Sequence, residues 1–379
     1  DGVNVAVGYK SGESMTSGIQ NTIIGSLAGD GLTTGSNNIA IGYAALTTED
    51  AHGRNVAIGY AALNALNAGQ DAYNVAVGYR AGVDISTGIK NVILGGNAGD
   101  ALTTGSYNVA LGYDALSAED AHGKNVAIGY QALVVQNAGS DAYNVAVGFE
   151  AGHDLIQGLQ NTLVGGFAGC KITSAQYNTA LGYQSLAANL IGDNNTALGY
   201  FALQNFVADT DGHGNNTAVG ASAMLNATTG TENTALGTLA MGIGATTGDG
   251  NVALGYGSLL YSTTASNNIA IGFESMRASS EALYNVAIGF RSLYTNVEGD
   301  SNVAIGYDAL RVFNPSNGST YNTAVGYQAG KAMTTGVQNT LIGSLAGDAM
   351  TTGSNNTALG YSSAGAMTIG LQNVAIGHG

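Results

Sequence analysis

The sequence predicts an all-β fold, a parallel β-solenoid with one coil per repeat, and three observations carry that prediction. A six-residue phrase, cleanest as Asn-Val-Ala-Ile-Gly-Tyr at Asn55 to Tyr60 and again at Asn125 to Tyr130, recurs in 22 copies, most of them 17 residues apart. The fifth residue of the phrase is glycine in every copy, from Gly8 to Gly377. The second and fourth are β-branched or aliphatic throughout. A fixed period of this length marks stacked supersecondary units rather than an ordinary globular domain. One continuous array over residues 1–379 is therefore expected, although length alone would suggest two or three domains.

The strand comes first. With the repeat Asn as position 0, position +1 is Val in 11 copies, Thr in 9 and Ile in 2, and position +3 is always Val, Ile or Leu. Residues two apart share a strand face, so this is a β-branched stripe at period 2, expected to point into the coil. Position +2, on the other face, is Ala in 18 copies; the exceptions are Ile23, Ile93, Leu163 and Leu341. In those repeats position +5, otherwise mostly Tyr or Phe, shrinks to Ser26, Gly96, Gly166 and Ser344, as expected if +2 and +5 fill one limited space. Ala221 and Thr238, small at +5 beside an ordinary +2, do not follow that rule.

The glycine at +4 ends the strand, through positive φ or a contact too close for a Cβ. Position +7 is Ala or Ser and +8 is usually Leu, Met or Gly, which reads as a second short strand or a tight corner closing the core. A helix is disfavoured, because the remaining residues are too few and too rich in glycine. Stacking coils puts Asn on Asn, so side-chain amides are expected to share hydrogen bonds along the axis while satisfying turn backbone groups.

Extra residues lengthen the spacing before Asn74, Asn144, Asn216, Asn251 and Asn322, always between +8 and the next Asn. One edge of the solenoid thus carries longer loops, where solenoids often bind their ligands. These loops make Tyr73, Tyr143, Asp209, Asp211 and Tyr321 the candidate surface-binding residues. No residue from 0 to +5 is Lys, Arg, Asp or Glu in any copy, so both strand faces look covered. One coil covers only one of them. The other requires a partner chain, which makes self-association an expectation from composition.

Composition narrows the function classes. There are 59 glycines but 45% of residues are hydrophobic, so these glycines are placed rather than scattered through a disordered linker. A formal net charge of -15 argues against nucleic acid and against anionic membrane surfaces, both of which need a basic footprint. No apolar run is long enough to insert in a membrane, and the opening Asp1-Gly2-Val3 is no signal peptide, so export or assembly signals are expected outside these residues. Cys170 alone makes no intrachain disulfide.

Asn-Val-Ala-Ile-Gly followed by a small residue at +7 resembles the head repeat of the YadA-like trimeric autotransporter adhesins, and repeats in some phage tail-fibre proteins. The resemblance covers essentially the whole chain and is specific through multiplicity. It implies a left-handed parallel β-roll, a homotrimer, and surface attachment on a bacterial cell or virion. The period of 17 departs from the roughly 14 typical of that family, and no coiled-coil stalk or anchor is recognisable. No binding residue carries over, because the shared motif is scaffold.

Catalytic and cofactor chemistry is not expected. His52, His122 and His213 each follow an Asp by two residues (Asp50, Asp120 and Asp211), but they lie about 19 Å or more apart and each offers at most two side-chain ligands, so no metal is assigned. Asp30, Asp100 and Asp348 match no calcium-loop spacing and read as solvated turns. The glycine-rich segments recur in every coil and precede no helix, so they are not phosphate loops. The +5 tyrosines read as packing at a corner or between subunits rather than a glycan platform. An extracellular attachment fibre, binding a host-surface glycan or protein, is the leading expectation. A self-assembling filament without a receptor, stacking end to end, is the alternative. Ice binding is disfavoured because Thr and Val alternate irregularly at +1.

Overall fold

The computed structural model describes residues 2–208, 210, 213–316 and 318–379, and it divides into two compact units, Asp1–Ile191 and Gly192–Gly379. Each unit is a parallel β-solenoid with eleven three-residue strands, one per repeat: Val5–Val7 to Thr179–Leu181 in the first, Thr196–Leu198 to Val374–Ile376 in the second. The described residues contain no helix. Pairing is like with like: Val126 faces Val145, Ala127 faces Ala146 and Ile128 faces Val147. Only positions +1 to +3 are strand, and the corner reading of +7 and +8 holds without a second strand.

The facing of the strand is opposite to the sequence expectation. Ala at +2 points inward, as at Ala57, Ala127 and Ala287, all 0% exposed. Positions +1 and +3 point outward, intermediate or exposed in every strand, with Leu181 50% exposed and Ile376 in the last strand 72%. The reason is volume. The interior is filled from the opposite wall by buried residues at +8, such as Leu63 and Leu133, and at +11, such as Leu66 and Leu102. What faces them across so thin a coil has to be small, while β-branched residues suit the unrestricted outer surface of the pleat.

The same argument corrects the pairing of +2 with +5. The +5 rings lie outside, with Tyr43 and Tyr60 both 48% exposed, so they share no volume with +2. The large +2 residues instead fill holes left by glycine at +8. A methyl built on Gly29 would come within 3.3 Å of Ile23, and one on Gly152 or Gly169 within 2.9 or 2.8 Å of Leu163.

Left-handed backbone makes the corners. In the coil that begins at Asn125, Gln131 (φ 52°) and Leu133 (φ 51°) adopt it, as does Tyr143 (φ 53°) just before the next Asn. Each such residue costs about 1–2 kcal/mol when it carries a Cβ. The turns are held there because their N–H groups bond to adjacent coils, Gln131 to the Tyr113 carbonyl (3.0 Å) and Leu133 to that of Ala151 (3.1 Å). Position +4 differs in kind. Gly129 has φ 137°, outside the left-handed helical region, and a Cβ on it would sit 2.1 Å from the carbonyl oxygen of Gly148. That combination explains an invariant glycine at +4 while leucine is accepted at +8.

The asparagine ladder is present, with both amide-to-amide bonds, as from Asn178 Nδ2 to Asn161 Oδ1 (3.1 Å), and bonds to backbone groups. Asn91 Oδ1 accepts the main-chain N–H of Asn108 (2.9 Å), and Asn91 Nδ2 donates to the carbonyl of Gly105 (2.9 Å). The first bond repeats within each unit, from Asn4 to Asn21 and from Asn356 to Asn373, both at 2.9 to 3.0 Å. The buried side chain thus continues the strand ladder one residue past the point where the backbones can pair directly. The two-residue insertions before Asn74 and Asn144 interrupt the second bond: Asn55 Nδ2 turns back to the Gly53 carbonyl and Asn125 Nδ2 has no partner.

Candidate binding surfaces and buried acid clusters

Two features line the outside of each unit. The first is the outward +1/+3 stripe, uncharged in every coil, with Val92 39% and Leu111 41% exposed in the first unit and Leu236 44% in the second. The second is the column of +5 rings beside it. In the first unit Tyr43, Tyr60 and Tyr79 stack with centroids 5.3 and 5.2 Å apart, and Tyr113, Tyr130 and Phe149 at 5.8 and 5.1 Å. Where +5 is Gly166, the +6 ring of Phe167 fills the column, edge-on to Phe149 and Tyr183. In the second unit Tyr256, Phe273, Phe290, Tyr307 and Tyr327 form an unbroken stack at 5.0 to 5.3 Å. The one-coil rise of a parallel sheet, about 4.8 Å, sets this spacing, so stacking follows from placing rings at one repeat position.

The loop residues singled out in the sequence are placed as follows. Tyr73, Tyr143 and Tyr321 all occupy the position just before the repeat Asn, in left-handed backbone, and are 48%, 49% and 58% exposed. Asp209 and Asp211 lie outside the described residues. Arg54 lies over the Tyr73 ring at 5.4 Å, donates to its hydroxyl (2.7 Å) and pairs with Asp71. Lys124 repeats this with the Tyr143 hydroxyl (2.9 Å) and Asp141 (2.6 Å). The hydrogen bond to Asp141 holds the Lys124 ammonium above its ordinary range, and the same bond holds the Asp141 carboxyl below its own. Such exposed pairs add little stability, but they fix the orientation of both rings. The tyrosine is not peculiar to long loops. Tyr107, Tyr177 and Tyr284 stand at the same position after ordinary spacings, 50%, 50% and 62% exposed.

A third feature was not visible as a site in the sequence. His52 and His122 do not stand with one aspartate each: Glu49 and Glu119 complete two clusters, Glu49/Asp50/His52 and Glu119/Asp120/His122. Both glutamates are fully buried, and burial pushes their carboxyls up against the lowering effect of N–H groups from His52 and Ala68, or His122 and Ala138. No family model and no curated protein matches this chain. Its residues alone carry the functional reading. The missed signal was positional: +11 is Leu32 and Leu66 on either side of Glu49, and Leu102 and Gln136 on either side of Glu119, all buried, so a Glu there is a carboxylate in a core slot. Cys170 is half-buried, and desolvation holds its thiol above the ordinary range, which argues against a reactive thiolate.

Proposed function

We propose that this chain is a scaffold segment of an extracellular attachment fibre, on a bacterial cell surface or a virion, in which three copies pack together through the outward strand face. The observation that carries the reading is the uncharged, half-exposed +1/+3 stripe, repeated without a charged residue in every coil of both units. A chain with a net charge of -15 has charges available to cover that face and places none there. Exposed apolar patches of this continuity mark interaction surfaces. The natural occupant is another copy of the same face, because only a repeating partner meets the same residue at every coil. The resemblance of the Asn-Val-Ala-Ile-Gly repeat to trimeric adhesin heads supports three copies, and the left-handed roll that family implies is part of the same proposal.

Recognition is assigned to the edge carrying the long loops and the tyrosines that precede some of the repeat Asn residues, including Tyr73, Tyr143 and Tyr321, with a host-surface glycan or protein as the ligand. Loops vary at little cost to a solenoid, whereas the strand positions are nearly constant. The segment is assigned no catalysis, no nucleic acid and no membrane insertion; no helix among the described residues is long and apolar enough to cross a membrane. Trimming the loops before Asn74, Asn144 and Asn322 to the 17-residue spacing tests the assignment. The thermal transition should persist while attachment to cells or glycans is lost. Attachment that survives trimming would reduce the edge to a spacer, and absence of any ligand for the intact chain would favour a self-assembling filament.

A further inference from the structure

The geometry points to two equivalent binding sites for a divalent first-row transition cation, one at Glu49, Asp50 and His52 and the other at Glu119, Asp120 and His122. In each, one donor atom per side chain lies within 4.8 Å of the other two. The glutamate is the deciding member. Its side chain is 0% exposed at both sites, in the +11 slot that Leu66 and Leu102 fill in adjacent coils, and its Oε2 makes no hydrogen bond of ordinary distance and angle, the N–H of Ala68 or Ala138 acting on the carboxyl only from outside that range. Oε1 accepts the main-chain N–H of the histidine (3.1 Å at both sites), which aims the carboxyl at the ring. The ring atom Nδ1, 3.7 Å from Oε1 at His52 and 3.6 Å at His122, is also buried without a hydrogen-bond partner.

A buried carboxylate oxygen and a buried imidazole nitrogen that both lack a partner within one cluster are costly unless something else satisfies them. A proton shared directly does not suit the distance, which is beyond hydrogen-bond range. Of the other polar residues at +11, Gln136 accepts from Asn144 (2.9 Å), Asn296 donates to Gly299 (2.8 Å) and Ser279 donates to the Asn296 carbonyl (2.6 Å), while the neutral hydroxyl of Ser262 also lacks a partner. The two glutamates differ from these residues in carrying an ionisable carboxyl, one oxygen of which is unpartnered.

Ligand chemistry selects the cation. Two carboxylates and one neutral imidazole supply two negative charges, which a divalent ion neutralises. The nitrogen donor disfavours calcium and magnesium, which take oxygen, and favours zinc or its neighbours. Three protein ligands leave a position for water, and zinc would hold them at about 2.0–2.2 Å. Asp50 and Asp120 are exposed, so they can close on the ion and provide its route of entry.

Calorimetric titration of the chelator-treated full chain with zinc chloride tests this, with calcium chloride as the control. Two zinc equivalents and no calcium are expected. Glu49→Gln should remove one equivalent and Glu49→Gln with Glu119→Gln both, with circular dichroism reporting that the fold is kept. If the double glutamine chain does not fold, His52→Gln with His122→Gln, altering half-exposed rings, should remove both equivalents instead. Native protein without saturable zinc binding overturns the proposal. So do two equivalents that persist in either double variant, which would place the metal on other groups such as His153 and Asp154.

Discussion

Replacing Gly129 with Ala puts the invariant +4 position to a quantitative test. Two costs add. At φ 137° the backbone lies where essentially only glycine goes, a strain of about 1–3 kcal/mol for alanine. The new methyl would also stand 2.1 Å from the carbonyl oxygen of Gly148 and 2.6 Å from its carbon, and backbone cannot rotate aside as a side chain would. Relief means moving the strand Val126–Ile128 away from Val145–Val147, which lengthens main-chain bonds worth about 0.5–1.5 kcal/mol each. The sum is about 3–5 kcal/mol. Gly139→Ala is the control, since Gly139 also has positive φ (71°) but a methyl added there would meet nothing within 4 Å. It should cost only the left-handed strain, about 1–2 kcal/mol, less about 0.4–1 kcal/mol regained from a stiffer unfolded chain. Urea unfolding of the full chain, followed by far-ultraviolet circular dichroism, measures both. Equal midpoint shifts for the two variants would refute the close backbone contact.

Three further outcomes are expected. Ala127→Leu, at a fully buried +2, should destabilise by about 1–3 kcal/mol through overpacking, whereas Ile128→Thr, on the outward face, should change the unfolding of a dissociated chain by less than about 1 kcal/mol; the reverse ranking would restore the inward β-branched stripe. Asn91→Leu removes the acceptor of the Asn108 N–H and the donor to the Gly105 carbonyl, and should cost about 2–4 kcal/mol in thermal or urea unfolding, an unchanged midpoint being inconsistent with the ladder. Desolvation raises the Asp100 carboxyl above its ordinary value of 3.8, against the attraction of Arg80, with Asp114 and Asp84 adding to the rise. The folded chain therefore binds that proton more tightly than the unfolded one, and the contribution is full below 3.8 and lost as pH rises through the folded-state value. Asp100→Asn should accordingly melt higher than the native chain at pH 7 and with it at pH 3; a constant gap at both pH values would remove burial as the cause.

The period, the turn at Gly129 and the recurring asparagine are legible in the sequence because each is fixed by backbone geometry that repeats with it. The direction of the strand is not. Val126 and Ile128 are more hydrophobic than Ala127, and hydrophobicity alone puts them inside; the deciding fact is the narrow space opposite Leu133, which no single strand reveals. Ile23 and Leu163 carry the clue, since their coils have Gly29 and Gly169 at +8, but the accompanying small residue at +5 points to the wrong partner. Glu49 and Glu119 are hidden for a related reason. Among loop residues near a histidine they look solvated, and only the burial of Leu66 and Leu102 at the same position marks the slot as core.

Sedimentation equilibrium of the full chain at micromolar concentration addresses the outward face most directly. If the uncharged +1/+3 stripe packs against its own copies, the mass should be about three times the chain mass of 37.8 kDa, and Ile128→Lys together with Leu111→Lys should lower it without loss of β structure. A native chain that remains a stable monomer of 37.8 kDa would contradict the account.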